Sequence, residues 1–369
     1  MKICFIHRGF SENGGIERVV SILINELIKE YEIYLVIMDK WDRDSFIVSL
    51  PENVIGTGWN TDATMREIIA RGGIRKLRNY LKKNDIDIVI ACGTLHYVMT
   101  AAAAKGIRTK CICWEHSNAN NRADHKFQMA ARYVGARLSD AIVTLTKHDQ
   151  ILYENKYHPK RLRQIYNPVD PKLAHADNDT DRKKKIISVG RFSGQKNYPV
   201  LVEIADAVLK KHDGWIWDIY GGGSDEIREW LVDVIESKEL CGRLNLKGQV
   251  SNLYDLYREY DFLVMTSLYE GFSMALLEAL ASGLPLVAFD VECGPEEVIE
   301  DGQNGYLIPR FDQKRMAECI ERLMEDSALL KEMKHRTEKT LKSFQMERIL
   351  VQWKALFEEL ADISVCGGG

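Results

Sequence analysis

Short apolar runs alternate with longer amphipathic stretches along most of the chain. Lys2–His7 reads as a short buried strand. Ile16 to Lys29 then carries Ile16, Val19, Val20, Leu23 and Leu27 at helical spacing, and Tyr31 to Met38 returns as a strand. Further strand-like runs fall at Ile86–Ala91, Lys110–Trp114 and Ala141–Leu145, with helical stretches between them. This alternation predicts a doubly wound α/β domain with a parallel sheet. Tyr166 to Asp170 breaks the pattern, and the polar stretch from Asp170 to Lys185 has no periodicity, as an interdomain linker would. A second wound domain opens at Lys185–Gly190. It continues through a helix from about Pro199 and strands at Ile216–Tyr220, Asn245–Gly248, Asp261–Thr266 and Leu284–Phe289. A turn at Asp301–Gly305 precedes a helical stretch from Gln313. The last segment, about Phe344 to Leu360, is amphipathic and is expected to cross back over the first domain. The expected division is 1–170, 185–343 and a closing helix over 344–362.

One unit of the second half stands out. Phe262–Met265 predicts a buried strand, and Ser273 is placed to cap a helix from Met274 to about Ser282. Gly283 and Pro285 end that helix. The helix MALLEALA is apolar on every side except at Glu278. A buried carboxylate needs a partner, so a cation or the hydroxyls of a ligand are expected there. Glu270 lies in the loop at the carboxyl end of the strand, the edge where open α/β sheets bind ligands. Gly271 allows close backbone approach, and the N–H groups of Ser273, Met274 and Ala275 would face an anion.

Other loops carry weaker signals. Gly14-Gly15 at a helix start is either an anion site or a turn that reverses the chain. His116 follows the run Lys110–Trp114, again at the expected ligand edge. Arg191 and Lys196 share a loop after a strand, and opposite the open helix end at Ser273 they would complete a diphosphate clamp. The dinucleotide fingerprint G-x-G-x-x-G is absent, which disfavours a nicotinamide enzyme.

Composition narrows the class further. The 369 residues suffice for two domains, and a net charge of −4 argues against a general nucleic-acid binder. Cys4, Cys92, Cys111 and Cys113 sit in apolar runs and read as buried thiols of a reducing compartment. Neither a signal peptide nor a membrane-spanning run is visible, so a cytoplasmic location is expected. The cationic stretch Arg71 to Lys83 has an apolar stripe at Ile74, Leu77 and Leu81. It reads either as a helix packed on the core with a solvated face or as one lying on an anionic membrane surface. Cys366 to Gly369 carries no fold information.

Several stretches, in order, resemble the motifs of family 4 retaining glycosyltransferases of the GT-B fold. These are Gly14-Gly15-Ile16-Glu17-Arg18, Glu115-His116, Asn167-Pro168-Val169-Asp170, Gly190-Arg191 with Lys196, and the E-x7-E stretch from Glu270 to Glu278. Gly294-Pro295-Glu296-Glu297 and Asp301-Gly302 with Asn304-Gly305 resemble those of transferases that build bacterial surface polysaccharides. The resemblance implies two Rossmann-like domains facing a cleft, with a nucleotide-sugar donor, taken to be a UDP-sugar, held mainly by the second. It implies that Arg191 and Lys196 bind the diphosphate and Glu278 the ribose hydroxyls. Glu270 with Gly271 and Phe272 would meet the donor sugar, and Gly248-Gln249-Val250 would frame the base. Gly15 would approach the phosphate from the first domain, and His116 would sit near the transferred sugar. It further implies a glycan or lipid-linked acceptor and same-face substitution without a metal. The Asp-x-Asp pairs present, Asp85/Asp87 and Asp177/Asp179, precede a strand and lie in the linker. A UDP-sugar 2-epimerase of similar two-domain fold is the alternative, and a binding regulator with a dead site is a third reading.

Overall fold

A computed structural model describes the chain except residues 11–13, 43–48, 121–125, 174–181, 251–252 and 367–369. The pair Asp177/Asp179 and the glycine tail therefore lie outside the described residues, as does half of the expected linker. The chain divides into two compact units. One comprises Met1–Pro168 with Met346–Gly369, the other Val169–Gln345.

The first unit is built on strands β1 (Lys2–His7), β2 (Glu32–Ile37), β3 (Ile55–Gly58), β4 (Ile88–Cys92), β5 (Lys110–Trp114), β6 (Ala141–Thr144) and β7 (Leu162–Gln164). All pair in parallel, in the order β3-β2-β1-β4-β5-β6-β7. The central strands are apolar throughout because helices cover both faces of a parallel sheet. β3 and β7 went unseen in the sequence for the converse reason. They are edge strands, IGTG and LRQ, half-exposed and without an apolar run. The helix Gly15–Leu27 buries Val19, Val20, Leu23 and Leu27 against the sheet.

The second unit repeats the plan with β8 (Lys185–Val189), β9 (Ile216–Tyr220), β10 (Leu244–Gly248), β11 (Phe262–Met265), β12 (Leu286–Phe289) and β13 (Gly305–Ile308). Their order is β10-β9-β8-β11-β12-β13, again parallel. In each sheet the winding reverses beside its first strand, between β1 and β4 and between β8 and β11. The loops leaving those strands diverge there and open a crevice at the sheet's carboxyl edge.

Three boundaries differ from expectation. Val169 and Asp170 group with the second unit, where Val169 N–H donates to Phe344 O at 2.9 Å and Asp170 accepts from the Tyr254 hydroxyl at 3.0 Å. The cationic helix begins at Gly73, because Gly72 adopts a left-handed conformation after the helix Met65–Ala70. It buries Leu77 and Leu81, leaves Ile74 half-buried, and lays Lys76 over the Trp59 ring at 4.4 Å. The closing helix runs over Met346–Cys366 and belongs to the first unit. Its Trp353, fully buried, meets Trp114 at a ring distance of 4.9 Å.

That last contact makes the closing helix a structural part of the first unit. Trp353→Ala should destabilise it by about 3–5 kcal/mol, the usual cost of emptying a large buried aromatic site. Urea unfolding followed by Trp fluorescence checks this; a loss below about 1 kcal/mol would contradict full burial.

Candidate active site

In the second unit the crevice lies between the loop after β8 and the loop after β11. The two loops are stitched to each other. Leu268 N–H donates to Gln195 O at 2.8 Å, the Gln195 amide donates to Tyr269 O at 2.9 Å, and the Thr266 hydroxyl donates to Lys196 O at 3.0 Å. Lys196 Nζ then meets Glu270 Oε1 at 2.8 Å, with the two side chains only 16% and 7% exposed. The expected diphosphate cation and the expected sugar-binding carboxylate are thus brought together, each neutralising the other. Gln195, which the sequence reading passed over, anchors the turn that aims Lys196.

Glycines let the backbones close in at this edge. A Cβ on Gly221 would lie 1.9 Å from the Gly190 carbonyl oxygen, so only glycine lets the β9 turn pack against the β8 loop. Gly221 N–H also donates to Gly248 O at 2.9 Å. This draws Gly248, Gln249 and Val250 to the same edge as Gly190 and Arg191. Arg191 is exposed on this loop. At Gly294, with φ of 97°, a Cβ would lie 2.7 Å from Gly271 O, so the turn behind Glu270 and Gly271 requires glycine.

The helix Met274–Ala281 starts where expected, with Ser273 at the cap position. The expected side-chain cap is absent: the Ser273 hydroxyl instead faces the Met265 sulfur at 3.7 Å. Phe272 and Ser273 are buried, while Met274 and Ala275 are half-buried at the helix start. A first-turn N–H has no partner within its own helix. With the serine turned inward, the first turn at Met274 and Ala275 keeps no Ser273 oxygen in front of it. Glu278 is buried as expected, and the Tyr257 hydroxyl donates to it at 3.3 Å. The expectation was a cation or a ligand; Tyr257 comes from a different helix, and no local pattern around Glu278 points to it.

In the first unit, the crevice between β1 and β4 is a cavity of about 760 Å³. Its lining includes His7, Arg8, Glu17, Asp39, His96 and His116. Gly14 and Gly15 open the neighbouring helix Gly15–Leu27, without a side-chain cap. The His116 ring packs on Trp114 at 4.2 Å, and its buried Nε2 has no hydrogen-bond partner among the described residues. The motif neighbour Glu115 points the other way, into the core, and is fully buried with Arg132 at 2.8 Å. Arg132 was not foreseen, since no local pattern ties a helical arginine to a carboxylate seventeen residues earlier. Among the described residues no three His, Cys, Asp or Glu side chains converge as metal ligands.

Burial drives all three histidine pKa values down, to about 4 for His7 and about 3 for His96 and His116. For His7 a hydrogen bond to Gly9 O opposes the shift. Each is therefore neutral in the fold at neutral pH. Since the unfolded chain takes up these protons first, stability is fully present above about pH 6.5 and falls as pH drops towards about 3. We expect three imidazole NMR signals to stay in the neutral state from pH 8 to about 5 while the urea midpoint declines below pH 6.5. Ordinary titration of all three near pH 6.5 would show that the cavity is open to water.

Comparison with known proteins covers nearly the whole chain. The family model described as Glycosyltransferase Family 4 matches residues 13–173, and Glycosyl transferases group 1 matches 171–340. An uncharacterized glycosyltransferase of Haemophilus influenzae is 24% identical over 96% of this chain and 99% of its own length. A Campylobacter jejuni N-acetyl-D-galactosaminyltransferase, named for a PP-undecaprenol-linked glycan, is 26% identical over 98% of this chain and 99% of its own. The crystal structure of HepE from Anabaena with UDP and glucose superposes with a TM-score of 0.84 at 16% identity, covering 97% of this chain and 99% of that one.

Proposed function

We propose that this chain, which belongs to the family 4 glycosyltransferases and has their GT-B fold, is a retaining, metal-independent transferase. It moves a hexose or N-acetylhexosamine from a UDP-sugar to a glycan or lipid-linked acceptor in bacterial surface polysaccharide synthesis. The observation that carries the donor side is the convergence of Lys196, Glu270 and the start of the helix Met274–Ala281 at one sheet edge. Lys196 and Arg191 meet the diphosphate, and the helix N–H groups add to them, so no metal is required for its charge. Glu278 takes the ribose hydroxyls and Glu270 the sugar hydroxyls. Gly15 and His116 act from the first unit. The bond between the anomeric carbon and the diphosphate oxygen breaks. An acceptor hydroxyl oxygen bonds that carbon on the same face, and its proton passes to the departing diphosphate.

The UDP choice is supported by the UDP in the HepE structure, and the lipid-linked acceptor by the name of the Campylobacter enzyme. The epimerase alternative has no counterpart in either family model or in these relatives.

Calorimetry with UDP in excess chelator tests the donor side. Lys196→Ala should weaken UDP by about tenfold, the worth of one charge-assisted contact. Glu270→Gln should leave UDP affinity unchanged or improved, because it releases Lys196, but should lower sugar transfer. Loss of UDP binding on chelation, or equal loss in both variants, would reject the clamp.

Among the described residues no helix is long and apolar enough to cross a membrane. We propose a cytoplasmic protein that meets its acceptor at an anionic leaflet through the helix Gly73–Lys83. Arg75, Lys76, Lys82 and Lys83 are exposed there, and each is worth about 1 kcal/mol near an anionic surface. The protein should sediment with anionic vesicles at low salt and not at high salt. No difference between the wild type and a variant neutralised at these four positions would remove the membrane role.

A further inference from the structure

His116 has an unusual way of staying in place. Among the described residues its Nε2 has no hydrogen-bond partner, and the ring stacks on Trp114 and is carried by the loop after β5. That loop converges on one buried carboxylate. Glu115 Oε1 accepts from the Thr94 hydroxyl at 2.8 Å, the Ser117 hydroxyl at 2.8 Å and Ser117 N–H at 3.2 Å. Its Oε2 accepts from Arg132 Nε at 2.8 Å and from the Tyr153 hydroxyl at 2.6 Å. Arg132 then reaches past Glu115 to donate from Nη2 to Ser117 Oγ at 3.0 Å and to the Asn118 carbonyl at 3.5 Å. Both charged side chains have no solvent exposure.

The elements tied together are far apart in sequence. Thr94 follows β4, residues 115–118 follow β5, Arg132 belongs to the helix Lys126–Leu138, and Tyr153 to the helix Lys147–Lys156. Thr94, His116 and Ser117 also line the first unit's cavity. The polar network therefore lies directly behind the cavity wall that carries His116.

We propose that Arg132, acting through Glu115, is a positioning residue: it bolts the 115–118 loop to two helices and so sets where the His116 ring stands in the cavity. The planar guanidinium is suited to this because it grips the carboxylate with one nitrogen and the loop with another, which a lysine cannot do. The inference rests on the glycosyltransfer reading for its kinetic consequence and on geometry alone for the placement of His116. The charged and titratable groups acting on His116 are His7, at the end of β1, and Glu115 itself.

The test compares three variants of the full chain. Glu115→Gln with Arg132→Met removes both charges together and leaves no lone buried ion. Ser117→Ala removes one loop contact of each partner, and Arg132→Lys keeps the charge but loses the second grip. In the double variant we expect UDP affinity to stay at the wild-type value. Turnover of the UDP-sugar should fall in kcat by roughly 100-fold with little change in donor KM, as for a misplacement of about 1 Å. Arg132→Lys should recover part of that loss, and Ser117→Ala should show a smaller one. By NMR, His116 should begin to titrate near its ordinary 6.5 as the ring loosens into water.

A folded double variant with wild-type kcat and a silent His116 overturns the proposal. If the double variant does not fold, the same two unchanged readouts in Ser117→Ala and Arg132→Lys overturn it. Should the wild type turn over no UDP-sugar, the glycosyltransfer reading fails separately, and the His116 titration still decides the placement.

Discussion

A parallel sheet delivers the carboxyl ends of all its strands to one edge, and the rest of this protein depends on that constraint. Each unit winds outward from its first strand in both directions, so the loops after β1 and β4, and after β8 and β11, part from each other. The residues of chemical interest collect at those places: Lys196 and Glu270 in the second unit, and His7, His96 and His116 around the cavity of the first.

The two edges use charge differently. In the second unit a largely covered lysine and a nearly buried glutamate neutralise each other across the crevice. Such a pair holds the loop after β8 to the loop after β11. In the first unit the ion pair is sealed behind the wall, with five donors on one carboxylate. A buried carboxylate so fully satisfied stays ionised: burial alone would raise its pKa, but Arg132 and the hydroxyls bring it below the usual value. One pair sits at the crevice with part of its surface open, and the other has no solvent exposure.

The core follows the same economy of buried charge. Asp261, at the foot of β11, accepts from the backbone N–H groups of Lys183 and Lys185 and from Lys334 Nζ at 3.3 Å. Asp218 of β9 accepts from the Tyr260 hydroxyl at 2.7 Å and the Asn245 amide at 2.8 Å. Each closes one strand or turn onto its neighbour, and leaving either unpaired would cost more than an apolar residue in its place.

Much of this was legible in the linear chain. Apolar runs separated by amphipathic stretches placed the central strands to within a residue or two, because a strand buried on both faces must be apolar at every position. Gly283 and Pro285 marked the end of the helix Met274–Ala281, and the lone charge in that helix marked Glu278 as needing a partner. Edge strands β3 and β7 were invisible because a half-exposed strand obeys no such rule. The identity of partners was invisible as well. That Tyr257 serves Glu278, that Gln195 anchors the Lys196 turn, and that Arg132 rather than solvent faces Glu115 are facts of through-space approach between distant segments. Local sequence determines which residues must be buried and which turns must bend. Only the packing of one helix and loop against another decides which donor reaches which acceptor.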